Sequence, residues 1–359
     1  MNTAASPQQP GHTQDAGHLP TRFDPGVAHP ARVYAYWLGG KDHYPADRAA
    51  GQEVQRLRPE VIAAARANRA FGCRITSHAA ASLRIRQFLD IGAGLPAPGP
   101  THQIAQKASP ACKVVYVDND PLVLAHGRAL TTAPPAAQPC TWLDGDVRDP
   151  DTILEQATGV LDFTRPVAVL LLAVLHFVSD EQDPAGIVAR FAAALAPGSL
   201  IAITHLTGDF APQAITDSAR AYNARVPVQV HPRSRDQITA LCAGLPVPYP
   251  GVVAVNRWMP SLRETLGPPV DLHAAVIRIP RPEPVLGSLP APASRAGEAA
   301  ALEQAAARFP GHRITREHTG AGIAYVAQAR DLATRPYAVM TSTLAALCAR
   351  LDPASPPAS

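Results

Sequence analysis

Cysteine is scarce and scattered in this chain. Its five cysteines, Cys73, Cys112, Cys140, Cys242 and Cys348, form no C-x-x-C pair, and their number is odd. That argues against a disulfide framework and a zinc ribbon, and for inert thiols in a reducing cytoplasm. No His/Cys/Asp/Glu cluster has metal-ligand spacing, so no metal is expected. No apolar run approaches the roughly 18 residues that a membrane span needs. The N-terminus, "MNTAASPQQPGHTQDAGHLP", lacks both the basic segment and the apolar core of a secretory signal. It is polar, rich in Pro and Gly, and reads as disordered. Basic residues never run to five or six in a row and the net charge is only +3. Nothing therefore points to nucleic acid or a membrane surface as a partner. There is no internal repeat.

What is present is core-forming. The 359 residues are 47% hydrophobic and 17% charged, enough for one large domain and a small one, or two medium ones. The region after the tail reads as helical. Ala31 to Leu38 is stopped by Gly39-Gly40, and Pro45 and Pro59 open two further helices. Strand and helix then alternate. Gln87–Ile91, Lys113–Val117, Cys140–Leu143, the start of "PVAVLLLAVLHFV" from Pro166, and Gly198–Leu206 read as strands. Asp120-Pro121, Asp149-Pro150 and Asp183-Pro184 each open a helix. The Asp carboxylate accepts the free N–H groups of the first turn, and Pro needs no partner at the first helical position. Helices over 211–223 and through "RSRDQITALCAG" follow, then strands over Gly251–Val255 and His273–Ile279. Buried strands between capped helices imply an α/β fold with a parallel sheet covered on both faces. The expected organisation is a disordered tail over 1–28, a main domain over 29–280 and a Pro/Ala-rich linker over 281–297. A small α-β-β-β-α module over 298–352 closes the chain.

The first strand runs into a glycine turn, "QFLDIGAGLP". In open α/β sheets ligands sit at such strand ends. Gly92 to Ala97 formally fits the dinucleotide fingerprint G-x-G-x-x-A. That fingerprint works because a helix starts at once and its N–H groups hold a pyrophosphate. Pro96, Pro98 and Pro100 remove three donors and delay the helix to about Thr101. S-adenosylmethionine carries no phosphate and needs no such helix end. It needs glycines for close backbone approach, an acid for the ribose and a polar group for the adenine. Asp118, 24 residues past Gly94, is placed for the ribose hydroxyls. Asp146, 28 residues further on, is placed for the adenine amino group, with Val147 against the base. Asp90 precedes the turn and can face the cationic end of the ligand.

At these residues the chain resembles an actinobacterial family of S-adenosylmethionine-dependent methyltransferases long catalogued as proteins of unknown function (DUF574). The matching stretches are "ARVYAYWLGGKDHYPADR", "ARANRAF", "QFLDIGAGLP", "THQIAQ", "VVYVDNDPLVLAHGRAL", "DGDVRDP", "PVAVLLLAVLHFVSD" and "PGVVAVNRW", spanning about Ala31 to Pro280. The resemblance implies a class I methyltransferase fold, a Rossmann-like seven-stranded sheet with its last strand antiparallel, and an N-terminal helical lid. It implies Gly92, Gly94, Asp118, Asn119, Asp146 and Val147 as cofactor contacts, with Arg69 near the cofactor carboxylate. Ala93 in the turn and Ala173 after the fourth strand complete the expected set. The module beyond Glu298 departs from the family pattern.

His176, after the fourth strand, reads as a general base or a donor that positions the acceptor, against the alternative of a histidine packed beside the adenosine. His205, at the end of the fifth strand, is a weaker candidate. Lys41, Asp42 and His43 follow the Gly-Gly stop and read either as substrate contacts from the lid or as a solvated polar turn. Three functions remain open. The first is methylation of a small molecule. The second is a binding protein for S-adenosylmethionine or its product that acts as a sensor or accessory factor. The third, disfavoured by the prolines, is a nicotinamide oxidoreductase.

Overall fold

The computed structural model describes residues 24–130, 140–259, 267–280, 295–319, 322–329, 338–341 and 343–351. The contacts divide the chain into two units, Met1–Pro282 and Glu283–Ser359. The stretch read as a disordered tail lies outside the described residues up to position 23, and the linker up to position 294. Ala28, the last residue assigned to that tail, is buried in the first unit.

The first unit begins with three helices, α1 (Pro30–Trp37), α2 (Pro45–Leu57) and α3 (Val61–Ser77). Strand and helix then alternate through β1 (Gln87–Ile91), α4 (Thr101–Ala108), β2 (Lys113–Asp118), α5 (Pro121–Leu130) and β3 (Thr141–Asp144). There follow α6 (Pro150–Ala157), β4 (Val167–Leu172), α7 (Pro184–Ala194) and β5 (Leu200–Leu206). The unit closes with α8 (Pro212–Asn223), α9 (Arg235–Leu241), β6 (Val253–Ala254) and β7 (Leu272–Arg278). The sheet order is β3-β2-β1-β4-β5-β7-β6, with β7 antiparallel to both neighbours and the other pairings parallel. The strand order reverses between β1 and β4, which opens a crevice at their carboxyl ends.

The Asp-Pro pairs cap as their sequence implies. Asp120, Asp149 and Asp183 accept from the N–H groups of Leu122, Thr152 and Gly186 at 2.8, 3.1 and 2.9 Å. Strand residues alternate between two cores. Phe88, Val114, Tyr116 and Leu170 pack with Phe71 and Ile75 of α3. Leu89, Ile91, Val115, Val117 and Leu171 pack with Ile153, Val188 and Phe191 of α6 and α7. A third cluster joins Val33, Ala50, Val54 and Val61 of α1–α3 to Ala219 and Tyr222 of α8. This last cluster fastens the N-terminal helices over the crevice as a lid.

One element agrees with its sequence reading and one differs. The apolar run from Pro166 begins as a strand and leaves the sheet at Leu172, and Leu175–Phe177 forms a short tight turn. A buried loop is as apolar as a buried strand, so hydropathy does not mark the exit. The strand expected over Gly251–Val255 pairs only at Val253 and Ala254, because a short turn at Val255–Arg257 takes over.

The second unit holds α10 (Arg295–Arg308), β8 (His312–Thr319), β9 (Gly322–Ala329), β10 (Ala338–Thr341) and α11 (Leu344–Leu351). Its sheet is antiparallel in the order β10-β9-β8, with Phe309, Ala327, Leu347 and Leu351 as its small core. The helix begins at Arg295, inside the stretch read as linker.

One contact gives a stability test. A Cβ at Gly127, inside α5, would lie 2.3 Å from the Trp142 ring, which itself stacks on Tyr116 at 4.4 Å between centroids. Helix propensity favours Gly127→Ala by about 1 kcal/mol. Overpacking costs about 1–3 kcal/mol. The variant is expected to be net destabilised by about 1 kcal/mol in denaturant unfolding, and a stabilised variant would contradict this packing.

Candidate functional site

One cavity runs from the carboxyl ends of β1, β2 and β4 up under the lid helices. The turn after β1 forms its floor. Gly92 has φ +69°, and a Cβ there would stand 2.8 Å from Val174. Gly92 and Ala93 both donate to the carbonyl of Val117, at 2.9 and 3.2 Å. Gly94, also at φ +69°, donates its N–H to Asp118 Oδ2 at 2.8 Å, and a Cβ there would meet nothing within 4 Å. The first glycine thus serves packing, and the second leaves open space on the cavity side. The prolines do delay the next helix, which starts at Thr101.

Asp118 is only 5% exposed. Its Oδ1 accepts from the Asp120 N–H at 3.0 Å. Burial raises its carboxyl above the usual range, against the two backbone N–H groups that favour the anion. Two of roughly four acceptor positions are used, and two are left. Asp90 lies on the same sheet face as Phe88. It is buried, accepts from the Thr101 hydroxyl at 2.6 Å, and is likewise raised by burial.

Asp146 is more heavily engaged than its sequence suggests. Its Oδ1 accepts from Arg148 N and Nε at 2.9 and 2.8 Å. Its Oδ2 takes Arg148 Nη2 and, at 3.1 Å, Asn119 Nδ2. Burial works against the anion, but these donors outweigh it and hold the carboxyl below its usual range. A further donor reaches Asp146 only by replacing one of them. Arg148 lines the cavity, and nothing in its sequence position had singled it out. Val147 is buried beside it.

The lid contributes Arg69, which donates to the carbonyls of Gly99 and Pro98 at 3.2 and 3.5 Å. Its Nε is buried and has no hydrogen-bond partner among the described residues. Ala173 holds φ +56°, a left-handed conformation unusual for a residue with a side chain. It is fixed there by its N–H, which donates to Thr204 Oγ1 at 2.8 Å. Thr204 donates to Asn68 Oδ1 at 2.7 Å, Asn68 donates to the Tyr34 hydroxyl at 3.0 Å, and Tyr34 donates to the Ala65 carbonyl at 3.0 Å. A continuous chain of hydrogen bonds therefore joins the end of β4 to α1 and α3.

Asp120 is more than a helix cap. His29 Nδ1 lies 2.9 Å and Arg32 Nε 3.3 Å from its Oδ2. The His29 Nδ1 also accepts a long bond from the Ala31 N–H at 3.4 Å. Arg32 also faces buried Asp47 at 3.6 Å, and Asp47 Oδ1 accepts from the His29 N–H at 2.9 Å. This charged cluster ties α1 and α2 to the exit of β2.

His176 lines the cavity. Burial, reinforced by His205 and Arg233, holds its basicity well below the ordinary range, so the ring is neutral. Its Nδ1 accepts a long bond from the Leu206 N–H at 3.4 Å, which leaves the ring proton on Nε2. His205 is fully buried and does not line the cavity. It donates from Nδ1 to the Leu206 carbonyl and accepts from Arg233 at Nε2, both bonds 2.8–2.9 Å. Both of its ring nitrogens are therefore engaged in the interior. Arg233 also donates to the carbonyls of Leu175 and Val178 and to Asp180, clamping the loop that carries His176.

Lys41 and His43 do not line the cavity. Lys41 is exposed, and His43 packs edge-on against Tyr36 and meets Arg48 at 3.3 Å. The segment after Gly39-Gly40 thus lies outside the cavity lining. No group of three or more His, Cys, Asp or Glu among the described residues could hold a metal ion, and no helix there is long and apolar enough to cross a membrane.

Comparison with known proteins assigns the family. Residues 16–280 match the S-adenosyl methyltransferase family model. The chain belongs to this family. It is similar to a DUF574 family protein of known structure from Streptomyces avermitilis MA-4680, with 39% identity over 72% of this chain and 99% of that one, at a TM-score of 0.68. It is similar also to a protein from Thermobifida fusca YX proposed to be a methyltransferase, with 34% identity over 71% and 96% of the two chains and a TM-score of 0.66. No curated protein matches. The family match ends at residue 280, before the second unit. The cofactor of this methyltransferase is S-adenosylmethionine.

Buried His205 sets a pH limit on this methyltransferase. Its basicity falls from 6.5 to about 3, mainly through burial. Below pH 6.5 the unfolded chain gains a proton that the folded one refuses, so stability is full above that pH and is lost as pH falls towards 3. His205→Gln is expected to flatten the fall in unfolding free energy between pH 6.5 and 5 by about 1 kcal/mol per pH unit. Denaturant unfolding at a series of pH values reads this, and an unchanged slope contradicts a neutral buried ring.

Proposed function

We propose that this methyltransferase carries a methyl group to a small-molecule acceptor held inside the cavity beneath the lid. The observation that carries the reading is the cavity itself, which joins the glycine turn to an apolar chamber walled by the lid helices and α8. A chamber closed by helices suits a small acceptor better than a polymer. The residues at the turn suit the cofactor. Asp118 has two acceptor positions left for the ribose hydroxyls. Gly94 leaves room for close approach, and Val147 offers an apolar surface to the base. Asp146 and Asn119 can receive the adenine edge once Arg148 yields its place. The unpartnered Nε of Arg69 suits the cofactor carboxylate, and Asp90 its ammonium end.

Bound S-adenosylmethionine supplies a methyl carbon activated by a positively charged sulfur. The chain's own work is to position and to exclude water. The strained Ala173 and its hydrogen-bond chain fix the end of β4 against the lid. His176 is too weakly basic to hold an abstracted proton well, but its Nε2–H can donate to an acceptor and orient it. Positioning is therefore the role proposed for it.

Calorimetric titration with S-adenosylmethionine, S-adenosylhomocysteine and NAD tests this reading. The wild type is expected to bind the first two and ignore NAD. Asp118→Ala is expected to lose about 1.5–3 kcal/mol, or roughly tenfold or more in affinity. Tight NAD binding, or an unaffected Asp118 variant, would refute it. Adenosyl binding without turnover on any small acceptor would favour a sensor or accessory role instead.

A further inference from the structure

Beyond the glycine turn the cavity continues into a chamber walled by Val54, Val61, Phe177 and Val230. Apolar walls are common to many pockets. The unusual feature is the guanidinium among them. Arg58, at the junction of α2 and α3, is 6% exposed and lines this chamber. Its only side-chain hydrogen bond among the described residues runs from Nη1 to Asp271 Oδ2 at 3.5 Å, the outer limit for such a bond. Nε is buried without a partner, and Nη2 donates to none of the described residues. Nε and Nη2 together form one edge of the guanidinium fork, the edge that matches the two oxygens of a carboxylate. An arginine this buried normally has that edge filled.

The other polar groups of the chamber point to the same ligand chemistry. Tyr222 lines the chamber, and its hydroxyl is buried with no hydrogen-bond partner among the described residues. The His176 ring, neutral and with its proton on Nε2, can donate. His176, Phe177 and Tyr222 form a row of rings, with centroids 4.4 and 6.2 Å apart. All three rings belong to residues that line the cavity with Arg58, while Asp271, which contacts Nη1, does not line it.

We propose that this chamber binds a small, largely apolar carboxylic acid as its carboxylate, with Arg58 as the anchor. The proposal rests on the small-molecule reading above and names the class of acceptor.

The test uses the full chain loaded with S-adenosylhomocysteine and calorimetric titration of benzoate, naphthoate, hexanoate and decanoate, each beside its primary amide. At least one acid is expected to bind roughly tenfold or more tightly than its amide. Arg58→Gln is expected to abolish that preference while S-adenosylhomocysteine binds as before. Tyr222→Phe, which removes only an unpartnered hydroxyl, is expected to weaken the acid severalfold and leave the amide unchanged. Equal binding of acids and amides, or no binding of any acid, overturns the proposal. So does a Tyr222→Phe effect that is equal on both. Loss of S-adenosylhomocysteine binding in a folded Arg58→Gln protein would assign Arg58 to the cofactor and overturn it as well. Failure of the wild type to bind S-adenosylhomocysteine would sink the cofactor reading and this one together, whereas cofactor binding without discrimination sinks only this one.

Discussion

Two buried carboxylates, Asp47 and Asp120, face Arg32 across the junction of lid and sheet, and Asp120 also meets His29. The geometry of the site depends on this junction. Buried charges cost several kcal/mol each to desolvate, so none of these groups is stable alone in the interior. Each needs its partners in place, and the partners come from α1, from α2 and from the exit of β2. The lid can therefore settle in few other positions without stranding a charge.

Asp120 lies two residues beyond Asp118, and the coupling follows from that spacing. The Asp120 N–H holds Asp118 Oδ1, and the Gly94 N–H holds Asp118 Oδ2. A rigid path thus runs from the lid through Asp120 to Asp118 and on to the glycine turn. A second path leaves the lid at Asn68 and reaches the end of β4 through Thr204 and Ala173. The two paths end on the two strands that border the crevice or its neighbour, β4 and β2. The lid and the glycine turn are thus joined by continuous contacts on both sides of the cavity that they line.

Much of this was legible in the sequence. The Asp-Pro caps, the apolar strands and the delayed helix at Thr101 are local signals, and local physics placed them correctly. Gly92, Gly94 and Asp118 each sit at a strand exit, which is why sequence alone could place them on the cavity that they line. The rest depends on groups distant in sequence. His29 and Arg32 meet Asp120 only after the sheet forms, and Arg233 reaches the loop around Leu175 from 58 residues away. Arg58 and Arg148 carry no local pattern that sets them apart from other arginines. Lys41 and His43 follow a Gly-Gly turn in a polar run, a local pattern that says nothing of the cavity lining, from which both are absent.

Hydrogen exchange with and without S-adenosylhomocysteine tests most directly whether lid and turn are one unit. The expected result is slowed exchange of the backbone amides of α1 and α3 together with those of Gly92–Gly94, at the same ligand concentration. Protection confined to the turn, with the lid amides exchanging as in the free protein, would contradict the coupling.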